Sequence, residues 1–248
     1  MKRSAEEFRR LELTMSRAWP AFEEIDYDGW IIRFADGYTK RANSVNPHFG
    51  SSLPLLAKIE YCETAYRDRD LPTIFRLTPF SQPSDLDQTL AARGYEKRDP
   101  TLVMTCSLDE RAGDQIDRTL IVSADKWFAT FARLRKITPF QSDAHRKIVL
   151  SSEGALCYAA ILLDGDARAC GLGVHIDHAM GLFDLFTHES YRGQGLGSSV
   201  ARRLLGWGRH HGAVMGFLQV HSQNASARRL YQQVGFEVAY PYWYRVKT

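Results

Sequence analysis

No apolar run in this chain approaches the ~20 residues needed to span a bilayer. No membrane partner is therefore expected. Cysteine is scarce: Cys62, Cys106, Cys157 and Cys170 lie far apart, with no C-x-x-C pair and no metal-like grouping with histidine. They read as reduced, mostly buried thiols, and no metal site is expected. The net charge, +3 over 248 residues, is too small by itself to imply a nucleic-acid partner. The first residues are charged (Lys2, Arg3, Glu6, Glu7, Arg9, Arg10), unlike a signal peptide, so a cytoplasmic location is expected. A further absence is local. Between Gly193 and Phe236 there is no Asp or Glu, whereas Arg202, Arg203, Arg209, Arg228 and Arg229 all fall there. Solvated helix faces account for most of these cations, and their sum biases this side toward a polyanionic ligand.

What is present begins with Arg192-Gly193-Gln194-Gly195-Leu196-Gly197, followed by Ser198 and Ser199. Val200, Leu204 and Trp207 then repeat at helical spacing, which places the glycines at a helix N-terminus. Alternate glycines leave backbone N–H groups uncovered there, and the helix dipole adds positive charge, so phosphate is the expected ligand. Two other phosphate motifs are excluded. A dinucleotide fingerprint needs Gly-x-Gly-x-x-Gly and an acid about 20 residues on, and neither is present. A P-loop needs a lysine before its Ser or Thr, and here that lysine is missing.

Periodicity predicts helix over 195–211, strand over 214–221, helix over 224–234 and strand over 236–246. Upstream, strands over 155–163, 169–176 and 182–187 read as an antiparallel meander, with helices near 125–135 and 143–150 before it. The first half repeats the order: helix 5–18, strands 30–34 and 38–45, helix 53–66 and strand 73–77. Ser81-Gln82 matches Ser222-Gln223, Gly94-Tyr95-Glu96 matches Gly235-Phe236-Glu237, and Pro100 matches Pro241, all 141 positions apart. An internal duplication is expected, giving lobes 1-112 and 117-248 joined by the polar stretch 109–117. The expected class is α/β (α+β), each lobe a mixed, mostly antiparallel sheet flanked by helices. Asn224 corresponds to Pro83 and Tyr231 to Leu90, so the first lobe reads as scaffold or substrate pocket.

The run Leu185-Phe186-Thr187-His188-Glu189-Ser190-Tyr191-Arg192-Gly193-Gln194-Gly195-Leu196-Gly197 resembles the acetyl-CoA motif of the GNAT N-acetyltransferase superfamily. Asn224-x-x-Ala227-x-x-Leu230-Tyr231-x-x-x-Gly235-Phe236 resembles its second signature. The first half is similar only to a degenerate GNAT-like lobe. The resemblance implies a pantetheine arm between splayed strands, paired with backbone at Leu185, Phe186 and Thr187. It also implies a pyrophosphate on the loop formed by Arg192, Gly193, Gln194, Gly195, Leu196, Gly197 and Ser198. Asn224 has two roles open, contact with that arm or simple N-cap. Tyr231 is implied as the group protonating the leaving thiol, with a backbone N–H near Thr187 facing the oxyanion.

Some relatives carry a glutamate base five residues before the asparagine; here that position is Gln219, which cannot accept a proton. Asp184 is one alternative if it faces the cleft, and water passing along His221 is another. The implied partner is a primary amine on a small metabolite or peptide, acetylated by acetyl-CoA. Arg33, Arg41 and Asn43 are candidates to line its pocket, or the arginines face outward as ordinary strand residues. A non-catalytic acyl-CoA-binding regulator is the rival reading. Tyr231 separates the two, because a pure binder needs no phenol beside the sulfur.

Overall fold

The computed structural model of the chain describes residues 4–108, 119–163 and 166–247. It is a mixed α/β protein with mostly antiparallel strands flanked, among the described residues, by seven helices. Two compact units are present. One runs to Leu102 and also takes Tyr240 onward; the other is Val103–Ala239.

The first unit contains α1 (Ala5–Ala18), β1 (Glu23–Tyr27), β2 (Trp30–Phe34), β3 (Val45–Asn46), α2 (Leu55–Arg67), β4 (Thr73–Leu77), α3 (Leu86–Ala92) and the start of β5 (Glu96–Ser107). Ser4 opens α1 with a reciprocal cap: its hydroxyl accepts from Glu7 N–H (3.2 Å) and the Glu7 carboxylate accepts from Ser4 N–H (2.6 Å). Strands β2 and β4, Trp-Ile-Ile-Arg-Phe and Thr-Ile-Phe-Arg-Leu, supply Trp30, Ile32, Phe34, Phe75 and Leu77 to the core. Removing such a side chain to alanine costs about 3–5 kcal/mol for an aromatic residue. The predicted strand 38–45 is instead a looped segment that ends in the two-residue β3. Asn43 is the cause: its Oδ1 accepts from Ala35 and Gly37 N–H, and its Nδ2 donates to the Ala35 and Thr39 carbonyls. A side chain bonding nearby backbone in this way competes with a strand ladder.

The second unit contains the end of β5, then β6 (Leu120–Ile121), α4 (Ala124–Arg135), α5 (Pro139–Leu150), β7 (Ala155–Leu163), β8 (Asp166–Ile176), β9 (Ala179–Thr187), α6 (Leu196–His210), β10 (Met215–His221), α7 (Ala225–Gln233) and the start of β11 (Glu237–Lys247). Strands β6, β7, β8 and β9 are antiparallel neighbours, and β10 lies parallel to β9. Helix α6 buries Val200, Ala201, Leu204 and Leu205. Each leucine or valine so buried contributes about 1.5–3 kcal/mol.

These units differ from the expected lobes 1-112 and 117-248. The chain crosses between units inside β5 and β11, and the predicted linker 109–117 lies outside the described residues. Alternation in β11 gives the physical reason for its return to the first unit: Tyr240, Tyr242 and Tyr244 are buried, one on every second position. Tyr240 donates to the Glu12 carboxylate (2.6 Å), which also pairs with Arg76, and the Arg76 guanidinium lies 3.8 Å from the Tyr242 ring centre. Trp243 packs against the core of the same unit.

Candidate active site

All the motif residues fall in the second unit, around the ends of β9 and β10. Their parallel pairing covers Ala179–Leu182 against Met215–Leu218 and then stops. Beyond it Asp184, Leu185, Phe186 and Thr187 are only half-buried, unlike the buried run that precedes them. An irregularity in the β8–β9 ladder sits at the same place. Cys170 pairs with Phe186 and Leu172 with Phe183, so Asp184 and Leu185 together oppose Gly171. This is a bulge, which bends the strand and re-aims its side chains. Glycine is required opposite it, because a Cβ on residue 171 would lie 2.6 Å from Val200 of α6.

The glycine loop leads from a short 3-10 turn (Glu189–Tyr191) into α6. Gly193 and Gly195 have φ values of 74° and 78°, which side-chain-bearing residues rarely adopt. A Cβ on either would meet nothing within 4 Å, so open space and backbone conformation, not packing, call for glycine there. No side chain caps α6, and its first helical bond runs from Ser199 N–H to Gly195 C=O (3.0 Å). The amides of Leu196, Gly197 and Ser198 precede that bond and head the helix dipole. Arg192 and Gln194 are exposed beside them, and the Arg192 guanidinium reaches back to the Thr187 carbonyl (3.5 Å).

Helix α7 brings Tyr231 to this end of the unit. Its ring lies 6.0 Å from Phe236, edge-on, and burial together with the nearby Asp184 charge pushes its phenol up to about 12. The group therefore keeps its proton. At the head of α7, Asn224 accepts from Ala227 N–H (3.1 Å), the capping role of the two open to it.

Asp184 faces a residue that sequence reasoning missed. Its Oδ2 lies 2.8 Å from His145 Nε2, on α5. The His145 ring is 1% exposed and stacks on Phe131 at 4.5 Å, with Trp127 and Phe128 each 5.8 Å away. The available signal was a histidine in line with Ile148 and Val149 on the buried face of a helix. The remaining acceptor candidates lie in the other unit. Arg33 is 2% exposed, and its guanidinium bonds Glu24 and the carbonyls of Arg41, Ser16 and Trp19. Arg33 and Asn43 are buried and already bonded, which corrects the expectation that they line an acceptor pocket. Arg41 rests its guanidinium over the Trp19 ring (5.3 Å), so it does not simply project outward.

Residues 5–245 match the family model described as "Probable histone acetyltransferase Rv0428c C-terminal". The chain belongs to this family of GNAT acetyltransferases. An uncharacterized N-acetyltransferase of Bacillus subtilis (strain 168), YobR, is 29% identical over 98% of this chain and 99% of its own. The probable histone acetyltransferase Rv0428c of Mycobacterium tuberculosis is 26% identical over 93% of this chain and 70% of its own. Among solved structures, the GCN5-related N-acetyltransferase from Kribbella flavida superposes with a TM-score of 0.73 at 14% identity, covering 96% and 95% of the two chains. A tandem GNAT protein from the clavulanic acid biosynthesis pathway gives 0.60 at 13% identity, covering 77% and 69%. These last two likenesses show the GNAT fold. Among the described residues, no helix is long and apolar enough to cross a membrane.

Proposed function

We propose that this GNAT protein transfers an acetyl group from acetyl-CoA to a primary amine of a small metabolite or peptide. The observation that carries the proposal is that β9 and β10 stop pairing after Leu182 and Leu218, with Tyr231 near Asp184 just past that point and a helix N-terminus without a side-chain cap following β9. The residues present fit the coenzyme. Free amides of Leu196, Gly197 and Ser198, with open space over Gly193 and Gly195, suit a pyrophosphate. The β10 side of β9 at Leu185, Phe186 and Thr187, past the last β9–β10 pair, suits an amide-bearing arm, and Asn224 can offer Nδ2 to it while Oδ1 caps α7.

When bound, acetyl-CoA supplies an acetyl group activated as a thioester. The chain's own residues hold the ends of that reaction. Tyr231 keeps its proton at neutral pH and can donate it where a thiol departs. A backbone N–H near Thr187 would hold a developing oxyanion. The four free, buried cysteines suit a reducing, cytoplasmic setting. A duplicated ancestry is supported by element order: α2, β4, α3 and β5 fall near the positions of α6, β10, α7 and β11 shifted by the same offset.

The name of the mycobacterial relative favours peptidyl lysine among the acceptors to be tried. A thiol-release assay with acetyl-CoA and a panel of amines, including lysine peptides, tests the proposal. Release above the hydrolysis rate with at least one amine is expected. Measurable CoA binding without such release would mean a non-catalytic acyl-CoA-binding protein.

A further inference from the structure

Asp184 combines three features. Its backbone is left-handed, with φ 51°, a conformation that a non-glycine residue keeps only where its surroundings hold it. It sits in the β9 bulge, two residues past the last β9–β10 pair. Its Oδ2 is held at 2.8 Å by an imidazole 39 residues earlier in the chain. A carboxylate only accepts, so the bond places the proton on His145 Nε2. Stacking on Phe131 at 4.5 Å, next to Trp127 and Phe128, keeps the ring from swinging away. The other carboxylate oxygen, Oδ1, has no hydrogen-bond partner among the described residues, and the side chain is 21% exposed. Solvent and a ligand can therefore reach it.

We propose that His145 is a positioning residue that fixes Asp184 so that Oδ1 receives the ammonium group of the acceptor, selecting cationic primary amines over neutral hydroxyl acceptors. The inference rests on the acyl-transfer reading above and adds the acceptor's charge and the residue that enforces it. Binding suits a carboxylate better than deprotonation here. A carboxylate is in general about six orders of magnitude less basic than an alkylamine, so it holds an ammonium group without deprotonating it, and the proton the amine must lose before attack passes to water. The other groups that feel this carboxylate are Tyr231 of α7 and Cys170 of β8, and both are held protonated, chiefly by burial. Arg135 of α4 acts on Cys170 as well. Neither Tyr231 nor Cys170 is a cation, and the nearby guanidinium groups of Arg135 and Arg192 lie over the Phe186 ring, at 5.3 and 6.0 Å.

Three variants test this: His145→Phe keeps the stacking ring and loses the donor, His145→Gln restores a donor, and Asp184→Asn removes the charge. In the coenzyme-free protein, nitrogen-detected NMR should show a protonated His145 Nε2 whose signal moves in Asp184→Asn. Calorimetry should give the same CoA affinity for all three variants and the parent. With the best amine from the thiol-release panel, Asp184→Asn should raise its KM about 10–150-fold, the worth of a hydrogen bond to a charged group. His145→Phe should follow in the same direction, and His145→Gln should recover most of the loss. If His145→Phe does not fold, the NMR signal and the Asp184→Asn and His145→Gln kinetics still decide. An unchanged amine KM in Asp184→Asn, no recovery in His145→Gln, or equal turnover of hydroxyl acceptors overturns the inference while the parent's thiol release leaves the acetyltransferase reading standing. Absence of thiol release with any amine in the parent overturns both.

Discussion

Replacing Gly195 with alanine, beside a matched replacement of Gly212, separates ligand binding from backbone strain. Both glycines are left-handed, at φ 78° and 91°, and a Cβ on either meets nothing within 4 Å. Both substitutions therefore carry the same penalty, about 1–2 kcal/mol for placing an L-residue in that region. They flank the two ends of the 15-residue helix α6, roughly 22 Å apart. Only Gly195 adjoins the amides of Leu196, Gly197 and Ser198. Misaligning one of these relative to an anionic diphosphate costs about 1.5–3 kcal/mol, which is about 10–150-fold in affinity. Urea denaturation should show both variants weakened to a similar degree, and calorimetry should show CoA affinity lost in Gly195→Ala alone. Equal CoA affinities in the two variants would refute the reasoning.

Tyr231→Phe should lower kcat by about 10²–10⁴-fold with unchanged CoA affinity, measured by thiol release and calorimetry. Because burial holds the phenol up to about 12, it stays protonated as pH rises, and no alkaline loss of activity below about pH 11 should disappear in that variant. His48, 3% exposed, is held neutral by burial, its value lowered from 6.5 to about 4. The unfolded chain binds the extra proton first, so this stability is present above pH 6.5 and is lost as pH falls toward 4. The loss is about 3 kcal/mol, and urea midpoints across that window should be flatter in His48→Gln. Burial pushes the thiols of Cys62 and Cys157 up to about 12 and that of Cys106 to about 11. A thiol-specific reagent should react slowly with the native protein and fast with all four cysteines in guanidinium; rapid native labelling would contradict the burial.

Helix α6 was legible because its glycines and its Val200, Leu204 repeat are local signals, and the predicted span 195–211 differs from Leu196–His210 only at the ends. Strands β7 and β10 were equally plain, since one face or both are steadily apolar, and α7 was bracketed by Asn224 before it and Gly235 after it. Strand 38–45 was misread because Asn43 folds its amide onto nearby backbone, and that choice depends on loop geometry. Strand β1, helix α3 and the long β5 were overlooked: β1 and the start of β5 are largely exposed, and α3 is only seven residues long. In the site, the glycine loop could be read from spacing, whereas the role expected of Tyr231 came from the family resemblance. His145 could not be read from spacing, because its meaning arises from Asp184, which only the fold brings within 2.8 Å. Arg33 carried the opposite error. A charged side chain in an apolar strand suggests a ligand, yet four bonds inside its own unit consume it.

Backbone amide NMR of the protein titrated with CoA tests the central claim most directly. The account predicts that the largest shifts fall on Gly193 to Ser198 and on Leu185 to Thr187, the loop and strand end that form the proposed cradle. Saturable binding that leaves these amides unmoved would contradict it.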